Sequence, residues 1–137
     1  MSNLFAKFFT LKGRLDRYRY VKYSIISLLL FAPIIGGAYY AAVNNMAPNM
    51  PIALATLILL AVLVFIWINI SLQVRRFHDL EKSGWWIMLN FLIMPDGGLL
   101  ANIASWGITI WLIIFKGTEG PNKYGEDPLR KKVEPAE

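Results

Sequence analysis

Residues 52–72 read IALATLILLAVLVFIWINISL, a run without a single charge. A bilayer core about 30 Å thick is crossed by roughly 20 such residues in helical form. A helix satisfies every backbone N–H and C=O within the segment, which lipid requires. The uncharged region is longer still, from Tyr23 to Val74, too long for one crossing. Asn44-Asn45-Met46-Ala47-Pro48-Asn49-Met50-Pro51 divides it, because its prolines and asparagines specify a turn. Two spans follow, at about 23–43 and 52–72.

The last apolar region is interrupted by Pro95-Asp96-Gly97-Gly98, another turn signal. As a hairpin its limbs form spans at about 84–95 and 99–115. As a single crossing only 99–115 spans, and the earlier limb lies in the interface. The basic residues bear on the choice. The leader 1–22 holds Lys7, Lys12, Arg14, Arg17, Arg19 and Lys22 against Asp16 alone. The 44–51 turn has no basic residue, whereas 73–84 holds Arg75, Arg76 and Lys82. The tail 116–137 holds five basic and five acidic residues. Short basic loops stay in the cytoplasm, so leader, island and tail share that side, which needs an even number of crossings. The expected fold is an all-α integral membrane protein, a small bundle of three to four transmembrane helices. Four are favoured, the last two as a short hairpin, with the N-terminus cytoplasmic. The leader 1–22 would carry a short amphipathic segment built on Leu4, Phe5, Phe8, Phe9 and Leu11. Residues 23–115 would form the transmembrane domain, and 116–137 a polar cytoplasmic tail, disordered after about 129. A cleaved signal peptide is the competing reading of the first span, from its basic leader and the small residues near Ala38 and Ala42.

Composition agrees with a membrane chain. Hydrophobic residues make up 56% and charged residues 17% of the 137, against about 45–50% and about 25% in soluble domains. With no cysteine and one histidine, disulfides, thiolate sites and a thiol nucleophile are excluded, no metal site is expected, and no cofactor is implied. A net charge of +5 and a pI near 9.6 invite nucleic acid. The cations, however, flank the spans, where each is drawn to an anionic leaflet by about 1 kcal/mol. No nucleic-acid motif accompanies them. The expected partners are therefore anionic membrane lipids, with a homo-oligomer or a membrane-protein partner as further options, and no nucleic acid.

Three polar segments stand out: Gly13-Arg14-Leu15-Asp16-Arg17-Tyr18-Arg19-Tyr20, then Arg75-Arg76-Phe77-His78-Asp79 running on to Ser83-Gly84-Trp85-Trp86, then Lys116-Gly117-Thr118-Glu119-Gly120-Pro121-Asn122-Lys123-Tyr124-Gly125-Glu126-Asp127-Pro128. In this order around apolar spans they resemble the bacterial inner-membrane family called domain of unknown function 805, over roughly residues 10–128. The central and C-terminal motifs match closely. In the first, Arg19 stands where an acid is common and Val21 where Trp is common. The stretch from Trp86 to Lys116 is longer than in many members. The resemblance implies a small multi-pass protein of the bacterial inner membrane and assigns no activity.

The residues themselves allow several chemistries. On a helix prolonged past Leu72, Arg75 and Asp79 are four apart and can pair. Arg75, Arg76 and His78, joined by Arg14 and Arg17, could donate to a phosphate or anionic headgroup, with Asp79 beside them. Tyr18, Tyr20, Tyr23, Trp85 and Trp86 are expected as interface anchors, and Ser83 as a helix N-cap. In the tail, Gly117, Asn122, Tyr124, Gly125, Asp127 and Pro128 favour turns. Asn122, Tyr124 and Asp127 could fold back on Arg75 or Arg76 as a cytoplasmic cap. The leading function is a non-enzymatic membrane protein with a basic-aromatic cytoplasmic surface for headgroups or a partner protein. The alternatives are a transport or export component acting as a homo-oligomer, and a membrane enzyme acting on lipid headgroups through His78 and Asp79, without a nucleophile motif beside them.

Overall fold

The computed structural model describes residues 8–46, 50–89 and 98–129. Within them the chain is helical: α1 (Arg17–Val43), α2 (Ile52–Asp79), a short 3-10 helix (Gly84–Ile87) and α3 (Gly98–Ile114). The expected turn at Pro95–Gly97, the distal tail from Arg130 and most of the amphipathic leader lie outside the described residues.

Each helix end has a local cause. Asp16 caps α1, its carboxylate accepting the Arg19 N–H at 3.0 Å. The helix therefore starts six residues before the apolar span. Pro33 lies within α1, where it removes one ladder bond. At the far end Asn44 folds its amide onto the Tyr40 carbonyl (2.8 Å), and Asn45 takes a left-handed backbone (φ 54°). The second helix continues past Leu72 to Asp79, close to the two added turns the sequence predicts. Its 28 residues measure about 42 Å at 1.5 Å per residue, so its last turns project beyond a 30 Å hydrocarbon core. It closes with a paired C-terminal motif: Lys82 N–H bonds the Phe77 carbonyl (2.8 Å) and Glu81 N–H the His78 carbonyl (3.2 Å). Glu81 sits at the left-handed position of this motif with φ 58°. Ser83 caps the 3-10 helix that begins the expected 84–95 limb.

The first two helices run antiparallel. Leu15 N–H reaches the Arg75 carbonyl at one end, Ser27 meets Asn69 further along, and Phe31 packs on Phe65 beyond that. The C-terminus of α3 lies beside the C-terminus of α2, through Phe77, Trp86, Trp111 and Phe115. The buried apolar residues gather at this end: Leu15, Tyr20, Leu72, Val74, Phe77, Ile87 and Leu112, with Ile68. The opposite halves of α1 and α2 are exposed on nearly every side. Only 6% of the most apolar window of α2 is buried within the protein. A core helix of a soluble protein would be mostly buried, whereas lipid accepts such a surface at no cost. Among the described residues, two helices, α1 and α2, are long and apolar enough to cross a membrane.

Candidate functional site

The polar end of the bundle is organised by one carboxylate. Asp79, on the last residue of α2, is buried between two guanidinium groups. Arg14, from the leader, donates through Nε to Oδ1 at 3.1 Å. Arg76, one turn back on α2, donates through Nη1 to Oδ2. The side chains of Arg14, Arg76 and Asp79 are at most 3% exposed. A buried excess of one positive charge is costly unless its donors are satisfied, and here carbonyl oxygens do this. Arg76 donates through Nε to Leu112 O (2.8 Å), through Nη2 to Phe115 O and through Nη1 to Leu15 O (3.4 Å). It thereby takes up carbonyls left open at the C-terminus of α3. Arg14 donates to the carbonyls of Thr118 and Gly120. Each guanidinium has five N–H donors, and each spends most of them inside the protein.

The tail is the third participant. Gly117 passes directly over the Asp79 carboxylate: a Cβ there would stand 2.9 Å from Oδ1 and 2.5 Å from Cγ. Thr118 then donates from its N–H (2.9 Å) and its hydroxyl (3.1 Å) to the Asp79 carbonyl. Asn122 uses its amide NH₂ to bridge the His78 carbonyl and the Thr118 hydroxyl, both at 3.0 Å. Asn122 and Gly125 exchange backbone hydrogen bonds at 3.0 Å, closing a tight turn. This turn lays the Tyr124 ring flat on the His78 imidazole, with centroids 4.0 Å apart and planes 5° from parallel. The Asp127 carboxylate binds Leu129 N–H (2.8 Å) and Gly120 N–H (3.0 Å). These two N–H groups hold its carboxyl below the usual range, since they favour the charged form. Pro128 follows in the wall of a cleft of about 240 Å³ bounded also by Arg17 and Tyr18.

Several expectations need correction. Asp79 draws its ion pairs from Arg14 and Arg76, not from Arg75. The Arg75 Nε instead turns back to the Ser71 carbonyl at 3.4 Å, while its own carbonyl accepts Leu15 N–H. Arg14, Arg75 and Arg76 were expected to face headgroups, but all three are held within the protein. Arg17 alone of the expected basic set is exposed. The tail does fold back on the end of α2, yet it lands on His78, Asp79 and Arg14, and Asp127 ties the tail to itself. Tyr20 is 6% exposed and belongs to the core, four residues from Asp16 on the same helix face. Trp85, Trp86 and, at 73%, Tyr18 are exposed. His78 bonds the Gly13 carbonyl through Nδ1 (3.2 Å), not Asp79. The two therefore do not form a base with its orienting acid. Thr118 and the carbonyls of Leu15, Leu112 and Phe115 are the contributors missed from sequence. Backbone acceptors carry no residue-type signal at all.

All three polar motifs thus meet at one point, and the same stretch of chain is matched in known proteins. A family model described as "Protein of unknown function (DUF805)" matches residues 8–126. The chain belongs to the DUF805 family. Among similar proteins, Inner membrane protein YhaI of Escherichia coli (strain K12) is 28% identical over 116 residues, covering 85% of this chain and 83% of the relative. Inner membrane protein YhaH of the same strain is 38% identical over 68 residues, 47% of this chain and 44% of the relative. Uncharacterized protein YiiR, also from that strain, is 30% identical over 78 residues, 45% and 53% of the two chains. No solved structure matches.

Proposed function

We propose that this chain is a non-enzymatic, four-crossing inner-membrane protein whose cytoplasmic end is clasped shut and rests on anionic headgroups. The observation that carries the reading is the joint contact of leader, α2 and tail through Arg14, Asp79 and Thr118. The first helix leaves that end, α2 returns to it, and α3 ends at it. That arrangement of the described helices supports an even number of crossings. The basic loops favour the cytoplasm for this end.

With Arg14, Arg75 and Arg76 internal, the headgroup surface consists of other residues. Lys12, Arg17, Arg19, Lys22, Lys116 and Lys123 are exposed around the clasp, each worth about 1 kcal/mol against an anionic leaflet. Tyr18, Trp85 and Trp86 supply exposed aromatic rings at the same level. The clasp argues against lipid-headgroup catalysis, since Asp79 is spent on two arginines. A transport path through one copy has little support, because Ser27 and Asn69 bond each other between α1 and α2.

Two measurements test the reading. A C-terminal fluorescent fusion is expected to glow and a C-terminal alkaline-phosphatase fusion to be inactive; periplasmic phosphatase activity overturns the four crossings. In native mass spectrometry from mild detergent, the double variant Arg17→Gln, Lys116→Gln is expected to carry fewer weakly held anionic lipids. Unchanged adducts overturn the headgroup surface.

A further inference from the structure

On the side of α2 away from the clasp cleft, a groove of about 380 Å³ runs beside the 3-10 helix. Its floor is one stripe of α2, Ile70, Val74 and His78, spaced four apart. Over about 12 Å the stripe passes from the apolar span to the polar end. Leu11 from the leader and Ile87 and Met88 from the 3-10 segment complete apolar walls. Gly84 packs closely on this floor, where only a residue without a Cβ fits: a Cβ there would stand 2.9 Å from Val74 Cγ1 and 3.4 Å from His78 Nε2.

The histidine is held in a defined orientation. Its ring is fixed by Tyr124 on one face and by Gly13 O at Nδ1. A carbonyl oxygen only accepts, so Nδ1 carries the proton and the neutral ring presents Nε2 as an acceptor. No hydrogen bond to Nε2 occurs among the described residues. Ser83, at the same end of the groove, has a hydroxyl proton to donate, since its oxygen accepts from Trp85 N–H at 3.4 Å. Lys82, next to Ser83, lies over the Trp86 ring at 5.5 Å, and exposed Lys12 adjoins Leu11.

We infer that this groove is a binding site for one phospholipid, with an acyl chain along Ile70, Val74 and Met88 and its headgroup at His78 and Ser83. The apolar-to-polar order of the stripe sets the lipid's direction. The adjacent lysines match a phosphate. The acceptor Nε2 matches a headgroup hydroxyl, as in phosphatidylglycerol. The inference rests on the membrane placement proposed above, but not on the exposed basic surface.

The test is native mass spectrometry of the full chain in mild detergent with equal amounts of phosphatidylglycerol and phosphatidylethanolamine. One tightly held phosphatidylglycerol is expected. Met88→Trp, which fills the groove, should reduce that adduct at least tenfold. His78→Phe, which keeps a ring for Tyr124 but lacks Nε2, should abolish the preference over phosphatidylethanolamine. Equal retention in Met88→Trp overturns the proposal. Arg17→Gln with Lys116→Gln should leave this adduct in place while lowering the weaker ones; its loss there would assign the lipid to the basic surface instead. If either groove variant misfolds, phosphatidylglycerol with a diazirine in its acyl chain is applied to the unaltered protein. Labelling concentrated on residues 70–74 and 84–88 supports the site. Labelling spread evenly along α1 and α2 overturns it.

Discussion

Gly117→Ala is the sharpest perturbation of the clasp. The added methyl would sit against the Asp79 carboxylate, 2.9 Å from Oδ1 and 2.5 Å from Cγ. One of two things must give. If Asp79 moves, it loses its charge-assisted bonds to Arg14 and Arg76, each worth about 1.5–3 kcal/mol. If the tail lifts, it loses the two Thr118 bonds to the Asp79 carbonyl, the Asn122 bond to the His78 carbonyl, and the Arg14 bonds to Thr118 and Gly120. At a net of about 0.5–1.5 kcal/mol for each bond, five bonds amount to about 2.5–7.5 kcal/mol. Both routes cost about 2.5 kcal/mol or more, and tenfold in an equilibrium is about 1.4 kcal/mol. The tail should therefore open at least about 60-fold more often. Amide hydrogen exchange at Thr118 and Gly125 in the purified protein reads this directly. Gly107→Ala on α3 is the control, because a Cβ there meets nothing within 4 Å. Protection of Gly117→Ala within threefold of the unaltered protein would refute the reasoning.

Three further outcomes follow from the same geometry. Asp79→Ala should cost about 3–5 kcal/mol, because it leaves Arg14 and Arg76 as uncompensated buried charges; thermal unfolding in detergent should show a large drop. Glu81→Gly should stabilise the end of α2 by about 1 kcal/mol, since Glu81 occupies a left-handed backbone that penalises a side chain; an unchanged or lower melting temperature would contradict this. The Asp127 carboxyl is held below its ordinary value of 3.8 by the Leu129 and Gly120 N–H groups. Its contribution to the tail turn should be complete above that value and disappear as pH falls through the lower folded value. Asp127→Asn should remove that acid-dependent change in the NMR signal of the Gly120 amide.

Much of the fold was legible in residue types. The charge-free run from Tyr23 to Val74 and the asparagine-proline break yield the facing ends of α1 and α2 at Val43 and Ile52, while α1 begins earlier, at Arg17, and α2 ends later, at Asp79. Ser83 is readable as a cap, because short polar side chains compete for free N–H groups. The candidate site was legible as a set of motifs but not as a set of contacts. Arg75 and Arg76 are equivalent as symbols in the sequence. Which of them meets Asp79 depends on how α2 is rotated against the leader and α3. Gly117 reads as a turn residue, and its real constraint, a carboxylate pressed against its α-carbon, involves a residue 38 positions earlier.

The sequence alone determined that this protein is built of apolar helices long enough for a bilayer, with its cations gathered in the segments between them. Those properties are local, set by hydropathy, turn chemistry and charge along the chain. Only the tertiary structure decided that Arg14, Arg75 and Arg76, expected to face lipid, are internal, that three distant motifs form one clasp on Asp79, and that Tyr20 is core while Tyr18 is surface. The physical reason is that a guanidinium looks the same in sequence whether its partners are water, phosphate or carbonyl oxygens. Its role is set by which acceptors the packed helices bring within about 3 Å.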